Sequence, residues 1–219
     1  MIVRELQFKV KQAVSGETKQ LVMFLHGYGA DGADLLGLAD PLGPHLPDTT
    51  FIAPDAPERA QGGYGLQWFP IPWLDGSSEE AAAQGLARAT VDLNAFLDAR
   101  LAEYGLKDKQ LALLGFSQGA MMAMHVAPRR AAEMAGVVAI SGRLLEPEKI
   151  GEITVKPPVL LIHGDRDEVV PFGNMQHAGQ VLTGAGVTTY GHVMKGAGHG
   201  IAQDGLQASL AFLGERFGV

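Results

Sequence analysis

A mostly parallel, doubly wound α/β sheet is the fold class that this sequence predicts, and three observations predict it. Short unbroken apolar runs recur along the 219 residues, stretches with helical spacing separate them, and each run is bounded by Gly, Pro or Asp. The opening residues alternate (Val3, Glu5 and Gln7 against Arg4, Leu6 and Phe8), which predicts a strand ending near Gln12. Gln20–His26 follows as a continuous apolar run that suits a strand buried on both faces. Residues 49–53, 111–116, 137–141 and 159–163 repeat the type, and 188–194 is a weaker version. The clearest helix begins at Ser77 with Glu80 as a capping box; Leu86, Ala89, Leu93, Phe96 and Leu101 then recur at helical spacing. Further helices are predicted after Ser117, from Pro171 to about Leu182, and from Ala202 to Phe217. The stretch from Pro54 to Gly76 reads as one long loop, which in a compact domain marks function.

Residues 1–219 are expected to form a single domain, since the length lies within the range of one α/β unit. Arg143–Pro158 is too short to hold a large cap domain. No apolar run approaches the ~18–20 residues of a membrane span, so no stable membrane insertion is expected. The first residues lack the charged-then-apolar layout of a signal peptide, which points to a cytoplasmic location. The absence of cysteine excludes disulfides, thiolate zinc sites and a cysteine nucleophile. A net charge of −7 without a basic cluster argues against nucleic acid as a partner. A homodimer is compatible with the sequence.

The most informative segment is Leu111-Ala-Leu-Leu-Gly115-Phe-Ser117-Gln-Gly119, followed by a helix rich in Ala and Met. A strand-to-helix turn this tight strains the backbone of its central residue and leaves room only for glycine two positions away on either side. Ser117 is thereby pushed out at the carboxyl end of the sheet, and the Gln118 amide opens the helix beside it as an anion donor. A serine nucleophile needs a base, and the base needs an orienting acid. Five histidines follow Ser117. His125 is too close in the nucleophile helix, His163 ends a strand, His177 lies mid-helix, and His192 falls in the last strand. His199, in the loop between last strand and last helix, is the expected base. The loop after residues 159–163 offers Asp165, Asp167 and Glu168. Asp165 is expected to bond its own turn amides; Asp167, further round the loop with more reach towards His199, is favoured over Glu168 as the acid. His26 precedes the nucleophile and reads as a buried structural histidine. The second oxyanion donor is expected from the Leu25–Ala30 loop, where spacing alone does not separate Leu25 from Tyr28.

Phe24-Leu-His-Gly-Tyr-Gly, Gly115-Phe-Ser-Gln-Gly, Trp68-Phe69, His163-Gly-Asp-Arg-Asp-Glu-Val-Val-Pro and Gly198-His199 together resemble the phospholipase/carboxylesterase family of α/β-hydrolases. That family includes bacterial carboxylesterases and acyl-protein thioesterases. The resemblance implies a triad of Ser117, Asp167 and His199, oxyanion donors at the Leu25 and Gln118 amides, and no metal or cofactor. It also implies that Trp68 and Phe69 lie beside an acyl groove, although Pro70 stands where the family pattern has Asp. Val170 and Phe172 are expected to form the opposite wall; Trp73 either packs on the sheet or lines the pocket. The expected function is a cofactor-free serine carboxylesterase working through an acyl-enzyme, with a small-molecule ester as its expected partner. A thioesterase or lysophospholipase is the alternative, and a non-catalytic binding protein on the same scaffold is a distant one.

Overall fold

Apolar residues alternate between two faces in the central strands, and this alternation explains why the runs look continuous in sequence. A computed structural model describes residues 2–219. In β2 (Gln20–Leu25), Leu21, Met23 and Leu25 join the core on one side of the sheet, while Val22 and Phe24 join the core on the other. β6 (Leu111–Phe116) divides the same way, with Leu111 and Leu113 opposite Ala112 and Leu114. The remaining strands of the main sheet are β1 (Phe8–Lys11), β3 (Thr49–Pro54), β7 (Gly136–Ile140), β8 (Val159–Gly164) and β9 (Thr189–Met194). Among the described residues the sheet order is β1-β3-β2-β6-β7-β8-β9, and every pairing but β1–β3 is parallel. A two-stranded ribbon of β4 (Glu58–Arg59) and β5 (Leu66–Gln67) stands apart.

One face of the sheet is covered by α4 (Glu79–Tyr104), α5 (Gln118–Val126) and α6 (Gly173–Gly184). The other is covered by α1 (Gly32–Leu36), α2 (Ala39–Leu42) and α7 (Gln203–Phe217). Along α4 the buried set includes Leu86, Ala89, Leu93, Phe96, Leu97 and Leu101, the stripe that helical spacing predicts. Buried Arg130 fixes this helix to its surroundings through Asp98 (2.7 Å), Asp108 (2.6 Å) and Asn94 (2.9 Å). No helix among the described residues is long and apolar enough to cross a membrane.

Three local expectations are corrected. The first strand is only Phe8–Lys11, because Arg4 bonds the Asp92 carboxylate and Glu58 and so draws the preceding residues onto α4. The cap of α4 is Ser78, whose hydroxyl accepts from the Ala81 amide, so the capping box from Ser77 to Glu80 does not form. The stretch from Pro54 to Gly76 is not one irregular loop: it contains the end of β3, the ribbon and α3 (Pro72–Asp75). Short α1 and α2, of five and four residues, had no periodic signal to announce them. Between β7 and β8 the chain forms only a 3₁₀ segment over Pro147–Glu152, and no large cap domain covers the sheet.

Candidate active site

The carboxyl ends of β6, β7 and β8 carry the site, and glycine is what lets the chain pass there. A Cβ on Gly115 would lie 2.3 Å from the Gly119 carbonyl oxygen, and one on Gly119 only 1.8 Å from that of Leu25. Both are impossible contacts, so the turn between β6 and α5 requires glycine on each side of Ser117. Ser117 itself has φ 53° and ψ −117°, a strained conformation for a residue with a side chain. Its N–H donates to the Ile140 carbonyl at 2.8 Å, which anchors the strained residue to β7.

The structure brings Ser117, His199 and Asp167 together. His199 Nε2 lies 3.0 Å from Ser117 Oγ, and His199 Nδ1 lies 2.8 Å from Asp167 Oδ2. The ionised carboxylate accepts only, so Nδ1 carries the imidazole proton and Nε2 is left to accept from the serine hydroxyl. The Phe116 ring packs on His199 with centroids 4.9 Å apart. The Asp167 side chain has no exposed surface. Its Oδ1 accepts from the Val169 and Val170 amides, both at 2.9 Å, and its Oδ2 also faces buried His163 Nε2 at 3.2 Å. Burial pushes the Asp167 carboxyl up, but the bonds from His199, Val170 and Val169 outweigh it and hold the group below its ordinary value. Among the described residues no cluster of acids and histidines is arranged to hold a metal ion.

Asp165 has a different role from the expected one. Its Oδ1 accepts from the Gly196 amide at 2.6 Å, so it ties down the loop that presents His199 rather than its own turn. Arg166 adds a second tie by donating its amide to the Ala197 carbonyl at 3.0 Å. Two other histidines are committed to contacts of their own. His26 is fully buried, donates from Nδ1 to the Gly27 carbonyl at 2.8 Å and accepts from the Ala56 amide at 2.9 Å; burial depresses its pKa and keeps it neutral. His192 pairs with Asp204 at 2.9 Å on the edge strand.

Among the free backbone amides around Ser117, two are candidates that the sequence names, and neither has an acceptor among the described residues. One is Gln118, the first residue of α5; the other is Tyr28. Leu25, expected as a donor, instead lies within β2 in register with Gly115 of β6 and belongs to the sheet ladder. Gly27 brings Tyr28 close: a Cβ on Gly27 would lie 3.3 Å from the Cβ of Ser117.

The predicted groove walls also change. Trp68 is fully buried, so it lines no groove. Its indole donates to the His26 carbonyl at 3.0 Å and its amide to Gln118 Oε1 at 2.9 Å, while Gln118 Nε2 donates to the Phe69 carbonyl at 2.6 Å. The tryptophan thus holds the wall to the nucleophile turn. Trp73, which is 53% exposed, takes the surface position. It lines both a cleft of about 410 Å³ with Phe69, Pro70, Leu86 and Arg143 and a second of about 380 Å³ with Val170, Pro171 and Asn174. Phe172 faces away from both. It lies just before α6, edge-on to His163, in a separate cleft beside β9, and so does not share a wall with Val170.

Comparison with known proteins identifies the family. The phospholipase/carboxylesterase family profile matches residues 8–216. The chain is 33% identical over 168 residues to acyl-protein thioesterase 1 of Saccharomyces cerevisiae, covering 71% of this chain and 73% of that protein. It is 24% identical to the esterase YpfH of Escherichia coli over 205 residues, 93% of this chain and 86% of that one. Among solved structures, esterase PE8 superimposes with a TM-score of 0.91 at 43% identity, covering 97% of this chain and 99% of that chain. A sheet of this topology, a serine on a glycine-flanked turn and a profile match over nearly the whole length lead to one conclusion: the chain belongs to the phospholipase/carboxylesterase family of α/β-hydrolases, enzymes that act on ester bonds.

Proposed function

We propose that the protein is a serine carboxylesterase that uses Ser117, His199 and Asp167 as its triad and the Tyr28 and Gln118 amides as its oxyanion donors. The observation that carries the reading is the chain of contacts at 3.0 Å and 2.8 Å from Ser117 Oγ through His199 to a buried, ionised Asp167. As the Ser117 oxygen attacks the ester carbonyl carbon, its proton passes to His199 Nε2. Negative charge gathers on the former carbonyl oxygen, where the two free amides stabilise it. Collapse of this intermediate breaks the bond to the leaving alkoxide, which takes the proton back from His199. Water then repeats the sequence on the acyl-Ser117 ester and releases the acid. Asp167 fixes the imidazole tautomer and stabilises the imidazolium.

An oxygen ester is favoured over a thioester because the 43% identical structure is that of an esterase, while the thioesterase relative is 33% identical. A fluorophosphonate tests the nucleophile directly. It is expected to label Ser117 in the parent protein and to leave Ser117→Ala unlabelled, with kcat on a p-nitrophenyl ester lowered by several orders of magnitude. Labelling that survives in Ser117→Ala overturns the assignment. Parallel p-nitrophenyl and thioester substrates of equal acyl length decide the leaving group.

A further inference from the structure

Arg143 stands out among the cations of this acidic protein. Like Arg59, Arg166 and Lys195, it has no Asp or Glu oxygen within ion-pairing distance among the described residues, but unlike them its guanidinium is held by an aromatic ring. The group stacks on the Trp73 ring, 4.3 Å from its centroid. The backbone holds this residue near the nucleophile turn. Ser141, at the end of β7, turns the chain with φ 52°, and a Cβ on Gly142 would sit 2.7 Å from that of Ala120 and 3.3 Å from the Ser117 carbonyl oxygen. Arg143 and Trp73 therefore form the partition between the two clefts.

The clefts differ in charge. The first contains Glu79, Glu146 and Glu148, which repel an anion. Arg143 is the only charged residue lining the second; the other lining groups are Trp73, Val169, Val170, Pro171 and Asn174. Val170 links this second cleft to the triad, because its amide bonds Asp167. A guanidinium with its donors uncommitted, held in place by an aromatic ring and bordered by apolar walls, matches a carboxylate, which accepts two of its N–H groups at once. The overall charge of −7 repels anions in general, but that repulsion is screened beyond about 8–10 Å, so the local cation decides the outcome within the cleft.

We propose that Arg143 is a specificity residue that selects esters bearing a second, ionised carboxylate, which it receives in the cleft shared with Val170 and Asn174. This rests on the serine-esterase reading and adds the substrate class to it. The carboxylate enters on either the acyl side or the alcohol side, and two substrate pairs separate these sources. Monomethyl adipate against its methyl-ketone isostere probes the acyl side. The acetate ester of γ-hydroxybutyrate against its methyl-ketone isostere probes the alcohol side. In one of the pairs, Arg143→Gln is expected to lower the ratio of kcat/KM for the carboxylate over the ketone about tenfold. Arg143→Lys, which keeps the charge but loses the planar fork, should fall between parent and Gln, and added salt should shrink the parent's ratio. Equal ratios in parent and Arg143→Gln for both pairs overturn the proposal. So does a parent that hydrolyses neither pair while Ser117 still reacts with the fluorophosphonate. A Ser117 that fails to react overturns the esterase reading instead.

Discussion

At the scale of single residues, two aspartates two positions apart carry different loads. Asp167 orients the imidazole, and Asp165 holds the loop on which that imidazole sits. Asp167→Asn presents a donor or a poorer acceptor to His199 Nδ1 and favours the wrong tautomer, so kcat should fall by about 10⁴. Asp165→Asn keeps an acceptor oxygen but loses its charge, which weakens one bond to the Gly196 amide. Its loss should be nearer tenfold, with fluorophosphonate labelling of Ser117 slowed in proportion. Equal losses in two folded variants would contradict this division. The two tryptophans divide in the same way. Trp68→Ala removes a fully buried ring and should cost about 3–5 kcal/mol of unfolding free energy in urea. Trp73→Ala removes an exposed ring, so it should leave the urea midpoint nearly in place and change acyl preference instead. The sequence reading puts Trp68 beside the groove and leaves Trp73 open, because a tryptophan in a loop between Gly and Pro has no periodicity to indicate its burial.

Among the elements, α5 does more than follow the turn at Ser117. It is buried along its whole length, and His125 on its last turn has its pKa lowered to about 4, first by burial and then by Arg129, with Glu146 opposing and Lys149 adding to the depression. The folded helix therefore holds a neutral imidazole. Below the ordinary value of 6.5 the unfolded chain takes up a proton that the folded chain refuses, so this residue lowers stability as the pH falls from 6.5 towards about 4. The integrated penalty is about 2 kcal/mol at pH 5 relative to pH 8. His125→Leu should remove that part of the slope. Urea unfolding at the two pH values measures it, and an unchanged difference between them would refute the assignment. The element boundaries show how far local patterns reach. Strands buried on both faces and the long amphipathic α4 were legible because burial imposes a period or an unbroken run. The N-terminal strand starts late because of Arg4, whose partners Asp92 and Glu58 are 88 and 54 residues away. No local pattern encodes such a contact.

For the whole molecule, no large cap lies between β7 and β8, which on the proposed function leaves the approach to Ser117 to the surface clefts. Two clefts of about 410 and 380 Å³ meet at the Trp73–Arg143 partition and open to solvent, so neither encloses a long chain. Each acyl methylene that stays inside a cleft contributes about 0.8 kcal/mol, and those beyond it contribute little. Specificity constants for neutral esters should therefore climb over short acyl chains and level off at short to medium length. No jump in rate should accompany micelle formation, since no lid needs to open. A rate that keeps rising with long-chain esters, or that jumps at the critical micelle concentration, would contradict this.

The sequence by itself determined the α/β class, the buried strands, the glycine-flanked turn at Ser117 and the ordered set Ser117, Asp167 and His199. Each of these is written in short-range chemistry: a period, a steric demand for glycine, or the order in which residues follow successive strands. The tertiary structure alone decided that Leu25 lies within β2 while the Tyr28 and Gln118 amides are free, which favours Tyr28 over Leu25. It also decided that Trp68 supports the wall while Trp73 and Arg143 shape the clefts, and that Phe172 faces the β9 side. Those outcomes depend on which backbone groups the sheet consumes and on what distant segments pack against each side chain. Local spacing carries neither kind of information, because both arise only when residues far apart in the chain compete for the same space and the same hydrogen bonds.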